Sequence, residues 1–398
     1  MAGTTHALDE AVTPTTSGRR LPALDGIRGL AIIWVVLHNT TDLLPLMLHG
    51  AAHELAFLVH PGWIGVQLFF ALSGFLITGG LLDTHGASNY FRAFYARRAL
   101  RILPLYYTVL IVLLIVLPEL HLGPAILQAD PRRQLSLWLF TVNWTQAAPF
   151  GFGHFWSLAV EEQFYLFWPF VVYWISARRL LAVCVGFALI ALTSRGIMVS
   201  SGANSWTVYT ATTSHLDALA LGGAGACLLR IPAARAWLAS RLTAVNLGAL
   251  VIFVVGVPIT GAYNTDSIEC QLFGYTLLAL CCATLVTTAA VGDERGRPTV
   301  LGRFLCWAPL RSFGKYSYAI YIFHQLIHKL LGEPWLLATF GTHPAAHVVF
   351  LYSLTIGLVS FSAAFLSYHL FEKHFLALKY LFAPRTAKPG ISHMPIPP

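Results

Sequence analysis

Apolar residues in this chain run in long blocks separated by short polar or basic stretches, not in the alternation of a half-buried strand. Ten blocks approach the 17–25 residues that cross a hydrocarbon layer of about 30 Å. They are 27–47, 62–82, 102–118, 155–176, 180–200, 216–230, 243–262, 269–290, 316–333 and 345–370. The pattern predicts an all-α integral membrane protein, a single bundle of about ten transmembrane helices. The apolar run Leu135 to Val142 is too short to cross and lies between Pro131 and Pro149, so 119–154 reads as an external or re-entrant segment. An eleventh span there is the competing reading.

Composition strengthens the membrane reading. Of 398 residues, 57% are apolar and 11% charged, where a soluble domain carries about 25% charged. Mean hydropathy is +0.67. Too little polar surface remains to cover a water-facing core, which excludes a soluble enzyme, a disordered chain and a fibrous repeat. A net charge of +8 would suggest nucleic acid in a soluble protein. No basic stretch here is interleaved with aromatics as a single-strand binder needs, so no nucleic-acid partner is expected and the lipid bilayer is.

Charge also sets the topology. With ten spans and both termini inside, every Lys and Arg except Arg132, Arg133, Arg195 and Lys329 falls at the inner side, as the positive-inside bias asks. An eleventh span scrambles that order. The expected location is a bacterial inner (plasma) membrane, multi-pass, with both termini cytoplasmic. No cleavable signal peptide is expected. Residues 1–23 read as a cytoplasmic tail, 24–381 as one membrane domain and 382–398 as a flexible tail. The six cysteines lack metal-ligand spacing and read as small buried hydrophobes.

An ionisable side chain at mid-membrane costs about 3 kcal/mol on insertion scales and tends to mark function. Four clusters qualify. In the first, Asp25 and Arg28 precede His38, which lies about 15 Å further along a helix, and Asp42 follows on the same face. Asp42 is placed to fix the tautomer of a catalytic imidazole; a structural histidine is the alternative. The second is Arg97, Arg98 and Arg101, whose guanidinium forks suit phosphate or anchor the inner side. The third is the adjacent pair Glu161 and Glu162 with Gln163, one to two turns inside a span. The fourth comprises Ser317, Tyr318 and His324 with His215 and Asp217, candidate substrate contacts that would serve equally as polar contacts between helices.

At these residues the chain resembles the membrane-bound acyltransferase 3 family, which O-acylates glycans and some antibiotics. The segments that carry the likeness are Leu24-Asp25-Gly26-Ile27-Arg28-Gly29 through His38, Gly65 to Ile77, Arg98-Ala99-Leu100-Arg101-Ile102-Leu103-Pro104, and Trp156-Ser157-Leu158-Ala159-Val160-Glu161-Glu162-Gln163-Phe164-Tyr165. Ser317 to His324 and Ser367 to Lys373 match as well. The resemblance implies a ten-span fold that takes acetyl-CoA or another acyl-CoA as donor from the cytoplasm. It makes His38 the essential histidine, Arg28 its paired arginine, and Arg98 and Arg101 the Arg-x-x-Arg pair. The Arg28–His38 spacing is one residue shorter than the family's pattern, which implies a rotated His38 or a kinked helix. No appended soluble hydrolase-like domain is seen, so the membrane domain is expected to complete the transfer alone or hand on to a partner.

The expected chemistry is acetyl or short-acyl transfer to a hydroxyl of a glycan or glycosylated small molecule. His38, held by Asp42 or by Glu161/Glu162, serves as general base on the acceptor. Arg28, Arg98 and Arg101 hold the donor's phosphates. No metal is required. One of the two acids is expected to face the histidine and the other to bond a neighbouring span, with His215 a candidate partner. A transporter or flippase of a glycan or polar metabolite is the rival class; the internal symmetry expected of one is not visible.

Overall fold

The computed structural model describes residues 21–41, 60–122, 131–145, 151–294, 300–341 and 345–385. Asp42 and most of both expected tails lie outside the described residues. Among those described, the chain is all helical, without a strand. In order the helices are α1 (Pro22–Thr40), α2 (Ile64–Asp83), α3 (Tyr90–Ile111), α4 (Pro131–Trp138), α5 (Phe155–Trp174), α6 (Ala177–Ser200), α7 (Ser205–Thr210) and α8 (Leu216–Leu228). There follow α9 (Pro232–Ser240), α10 (Leu242–Ile259), α11 (Tyr275–Glu294), α12 (Val300–Leu305), α13 (Ala308–Ile327), α14 (Glu333–Phe340), α15 (Ala346–Ser367) and α16 (Lys373–Ala377). Single π turns continue α3 at Val112–Val116, α13 at His328–Gly332 and α15 at Tyr368–Glu372.

Among the described residues, six helical segments are long and apolar enough to cross a membrane: 64–83, 90–119, 177–200, 242–259, 270–293 and 347–382. A seventh is gained if 212–228 and 232–240, bent by 99°, form one span. The sequence predicted about ten. The difference has a chemical cause: the other predicted blocks fall on α1, α5 and α13, where Asp25, Arg28, Glu161, Glu162, Gln163, Arg311 and Lys315 lower the apolar content. The helices that fall short are those that carry most of the candidate site. On α10, by contrast, Leu250, Val251 and Val254 are all more than half exposed, the aspect of a helix whose solvent is lipid.

Two helix pairs meet almost backbone to backbone. A Cβ at Gly314 of α13 would come within 1.8 Å of the Asp25 carbonyl of α1, and one at Gly74 of α2 within 1.8 Å of the Leu219 carbonyl of α8. Lacking a Cβ, glycine lets the helices close in, the small-residue packing that replaces the hydrophobic effect between membrane helices. These contacts fix where Arg28 on α1 and Ser73 on α2 stand. α4, eight residues and about 12 Å long, caps the bundle and does not cross it: the Tyr106 and Tyr107 hydroxyls donate to the Leu137 and Trp138 carbonyls at 2.8 and 3.1 Å. Gln163 of α5 secures the turn that follows, donating to the Phe140 carbonyl (2.8 Å) and to Asn143 Oδ1 (2.9 Å).

Candidate active site

α1, α3 and α13 begin, and α2 and α5 finish, at one end of the bundle, where Arg92, Arg97 and Arg178 also lie; we term it the basic end. A cavity of about 140 Å³ opens between α1, α2, α3, α5 and α13, lined among others by Arg28, Ser73, Arg98, Arg101, Ser157, Glu161, Ser317, Tyr318 and Tyr321. A second, of about 180 Å³, lies nearer the basic end beside Arg97 and Lys379. Leu76, Ile77, Arg98 and Arg101 belong to the walls of both, so the two adjoin.

Arg98 stands eight residues inside α3, about 12 Å from its start. It meets both acids of α5: Arg98 Nη2 lies 3.5 Å from Glu161 Oε2 and Arg98 Nε 3.7 Å from Glu162 Oε1. Its guanidinium also lies over the Tyr165 ring, 3.7 Å from the centroid, a cation–π contact. Ser73 donates to Glu161 Oε1 at 2.6 Å. Both acids thus spend their contacts on Arg98 and Ser73, and the expectation that one of them bonds His215 or holds His38 is corrected. Adjacent positions on a helix point about 100° apart, and one guanidinium seated between them reaches both. Only Glu161 of the pair lines the cavity.

Arg28 pairs with Asp25 at 3.0 Å, one turn back on its own helix. Arg101, at the junction of the cavities, has no hydrogen bond or ion pair among the described residues. Tyr318 donates to the Ile102 carbonyl at 2.7 Å and so pins α13 to α3 beside the cavity. Ser317 is on the same wall.

A histidine layer lies one turn beyond the cavity, away from the basic end. The hydroxyls of Ser157 and Tyr321 are 2.5 Å apart, and Tyr321 also donates to the His154 carbonyl at 2.8 Å. The rings of His154 and His324 stand 5.1 Å apart. His324 Nδ1 lies 2.8 Å from the Tyr321 carbonyl, so it carries the proton. Nε2 then accepts from the Asn39 amide at 2.9 Å. α1 is one continuous helix through this region. The His38 Cβ lies against the backbone at Gly62, where a Cβ would come only 2.4 Å away, and Asn39, the next residue, reaches His324.

His215 and Asp217 lie apart from both cavities. His215 bonds Gln67 at 2.9 Å and the Tyr209 carbonyl at 2.6 Å. Asp217 forms a fully buried ion pair with Arg195 at 3.0 Å. The sequence reading missed Arg195 as a buried group, Ser73 and Tyr321 as cavity walls, and Lys379. Arg195 alone left a signal, as a basic residue on the wrong side of the predicted topology. Among the described residues no three His, Cys, Asp or Glu side chains gather as metal ligands would.

Comparison with known proteins gives these residues a family. The chain is 30% identical over 386 residues to YrhL of Bacillus subtilis, named as a putative peptidoglycan O-acetyltransferase, covering 90% of this chain and 55% of the relative. It is 27% identical over 348 residues to the peptidoglycan O-acetyltransferase OatA of Listeria monocytogenes (80% and 51%) and 28% identical over 337 residues to the O-acetyltransferase OatA of Staphylococcus aureus (78% and 51%). The chain therefore spans about half the length of the curated relatives it matches. No solved structure matches it. The family model for the acyltransferase domain matches residues 21–366, a stretch that contains both cavities' shared arginines, the acid pair and the histidine layer, and the chain accordingly belongs to the membrane-bound acyltransferase 3 family.

Proposed function

We propose that this protein is an O-acyltransferase that moves an acetyl or other short acyl group onto a glycan hydroxyl at the membrane, with acyl-CoA as donor. The observation that carries the reading is the pair of adjoining cavities with Arg101 between them and the acid–arginine cluster on their shared wall. Relatives named for peptidoglycan O-acetylation support a carbohydrate acceptor and favour transfer over transport. The ten-span arrangement, the bacterial inner membrane and cytoplasmic termini belong to this proposal, and so place the basic end in the cytoplasm.

In this reading the donor's phosphates stay near the basic end, on Arg101 and Arg28. Arg98 is engaged by two carboxylates and a ring, and its task is to hold Glu161 against the cavity. The acyl carbon approaches the roof made by Ser157 and Tyr321, where the Ser157 hydroxyl, once turned from Tyr321, donates to the oxyanion. The acceptor comes from the opposite side, where His38, oriented by Asp42, takes the proton of the attacking hydroxyl. His324, Ser317 and Tyr318 contact the substrates around the roof. His215 and Asp217 join that set only if the acceptor reaches beyond Gln67. The test is acyl transfer from radiolabelled acetyl-CoA by the full chain in lipid nanodiscs, with a peptidoglycan fragment as acceptor. Label is expected to leave the donor in wild type and to stay on it in His38→Ala at equal protein. Wild-type protein that neither binds nor deacylates acetyl-CoA would overturn the donor, and equal transfer by His38→Ala would overturn the base.

A further inference from the structure

The second cavity has a wall that the family match does not reach. That match ends at residue 366, and beyond it the helical segment 347–382 continues to the start of α3 as α16 and the 3-10 turn Leu378–Phe382. Asn89, just before α3, clamps this strap from both sides: its amide donates to the Ala383 carbonyl at 3.0 Å, and its Oδ1 accepts from the Arg385 backbone N–H at 2.8 Å. Arg92 lies over the Phe382 ring at 5.6 Å. So held, the strap puts Lys379 and Pro384 into the cavity wall opposite Arg97 and Arg101.

The charges there do not balance. Arg97, Arg98, Arg101 and Lys379 face the cavity and lie within electrostatic reach of one another. Arg98 is neutralised by Glu161 and Glu162. The cavity's own carboxylate, Asp83, is taken by Arg230 of α8–α9. Glu372, the next acid along the strap, accepts from Ser367 at 2.9 Å and is not in the wall, though its charge reaches Arg101. Arg97, Arg101 and Lys379 remain as three basic side chains without a hydrogen bond or ion pair among the described residues. Like charges gathered in a half-enclosed site repel one another, and an arrangement of this kind is stable when an anion joins it. Two guanidinium forks and an ammonium around about 180 Å³ suit phosphate oxygens.

We propose that the strap completes a phosphate subsite in the second cavity, in which Lys379 acts with Arg97 and Arg101 on the phosphates of the donor while the acyl end reaches the first cavity. This rests on the acyl-CoA reading above and adds Lys379 and its clamp to it. The same chemistry would hold the phosphate of an anionic lipid, so the test separates the two. Binding of coenzyme A and of S-acetylpantetheine, which has no phosphate, is measured by calorimetry on the full chain in phosphatidylcholine nanodiscs, with and without phosphatidylglycerol. For Lys379→Met, coenzyme A is expected to bind about tenfold more weakly, the scale of one charge-assisted contact. S-acetylpantetheine should bind as before, and Lys379→Arg should restore most of the loss. Asn89→Ala, which frees the strap, is expected to weaken coenzyme A in the same selective way. Unchanged coenzyme A affinity in Lys379→Met, or an equal loss for S-acetylpantetheine, overturns the subsite and leaves the donor reading standing. No coenzyme A binding by wild type overturns the donor reading and the subsite with it. Phosphatidylglycerol binding that depends on Lys379 and that coenzyme A does not displace gives the site to lipid and overturns the proposal.

Discussion

Two groups of inward charges in this bundle, Arg195 with Asp217 and Arg98 with Glu161 and Glu162, are held in different ways. Arg195 and Asp217 are both 0% exposed. Asp217 takes a backbone N–H on one oxygen and Thr276 with Arg195 on the other, and Arg195 also donates to the Ser214 carbonyl and to Thr276. Neither of the two cavities described above is lined by the pair. Arg98 with Glu161 and Glu162 is looser, at 3.5 and 3.7 Å, and the three side chains keep 13–21% exposure. Arg98 Nε and Glu162 Oε1 make no hydrogen bond, and neither does Arg195 Nε. Charge inside a membrane is costly in both places. The saturated pair spends it on holding α6, α8 and α11 together. The open cluster keeps Arg98 and Glu161 on the wall of a space large enough for a ligand. Burial of charge alone does not mark a site here; charge on a cavity wall does.

The comparison breaks most sharply at the saturated pair. Arg195→Met or Asp217→Leu alone leaves one buried charge unpaired, a loss of about 3–5 kcal/mol, and membrane yield should collapse. The double variant Arg195→Met/Asp217→Leu should recover much of the yield, since neither charge is then stranded. Yield and melting temperature of the three proteins check this, and full stability of either single variant would show that the pair holds nothing. In the open cluster the order reverses: Arg101→Ala should keep normal yield and weaken acyl-CoA binding about tenfold, with Arg101→Lys recovering only part because a point charge replaces a fork. Titration of the donor into each purified variant reads that directly. The smallest effect is expected at Ser73→Ala. It removes one hydrogen bond to Glu161 while Arg98 remains, so turnover should fall a few-fold, in line with about 1 kcal/mol for such a bond to a charged group. Loss of all activity there would make the serine more than a support.

The sequence made the helices and most of the cavity legible because both leave local marks. Long apolar blocks located α2, α3, α6, α10, α11 and α15, and the odd polar residues within α1, α3 and α5 pointed to Arg28, Arg98, Arg101 and Glu161. What it hid depends on the packing of distant segments. Arg98 was read within a basic run as a phosphate fork or an inner anchor, whereas the antiparallel packing of α3 on α5 draws it against Glu161. His215 was matched to the acids by type and depth, yet the close α2–α8 contact gives it Gln67. The shortened Arg28–His38 spacing was visible; the bond of Asn39, one residue on, to His324 was not. Lys379 lay among tail residues with an ordinary basic composition and nothing local to distinguish it.

The central claim is that the open cluster is where transfer occurs, with Glu161 as its cavity-facing acid. Acyl transfer from labelled acetyl-CoA, measured for Glu161→Gln and Glu162→Gln at equal membrane yield, tests it most directly. Glu161→Gln is expected to lose about tenfold in rate, the scale of one charge-assisted contact on the cavity wall, and Glu162→Gln to lose clearly less. Wild-type turnover in Glu161→Gln at normal yield would contradict the account and leave the acid–arginine cluster a second structural pair like Arg195 and Asp217.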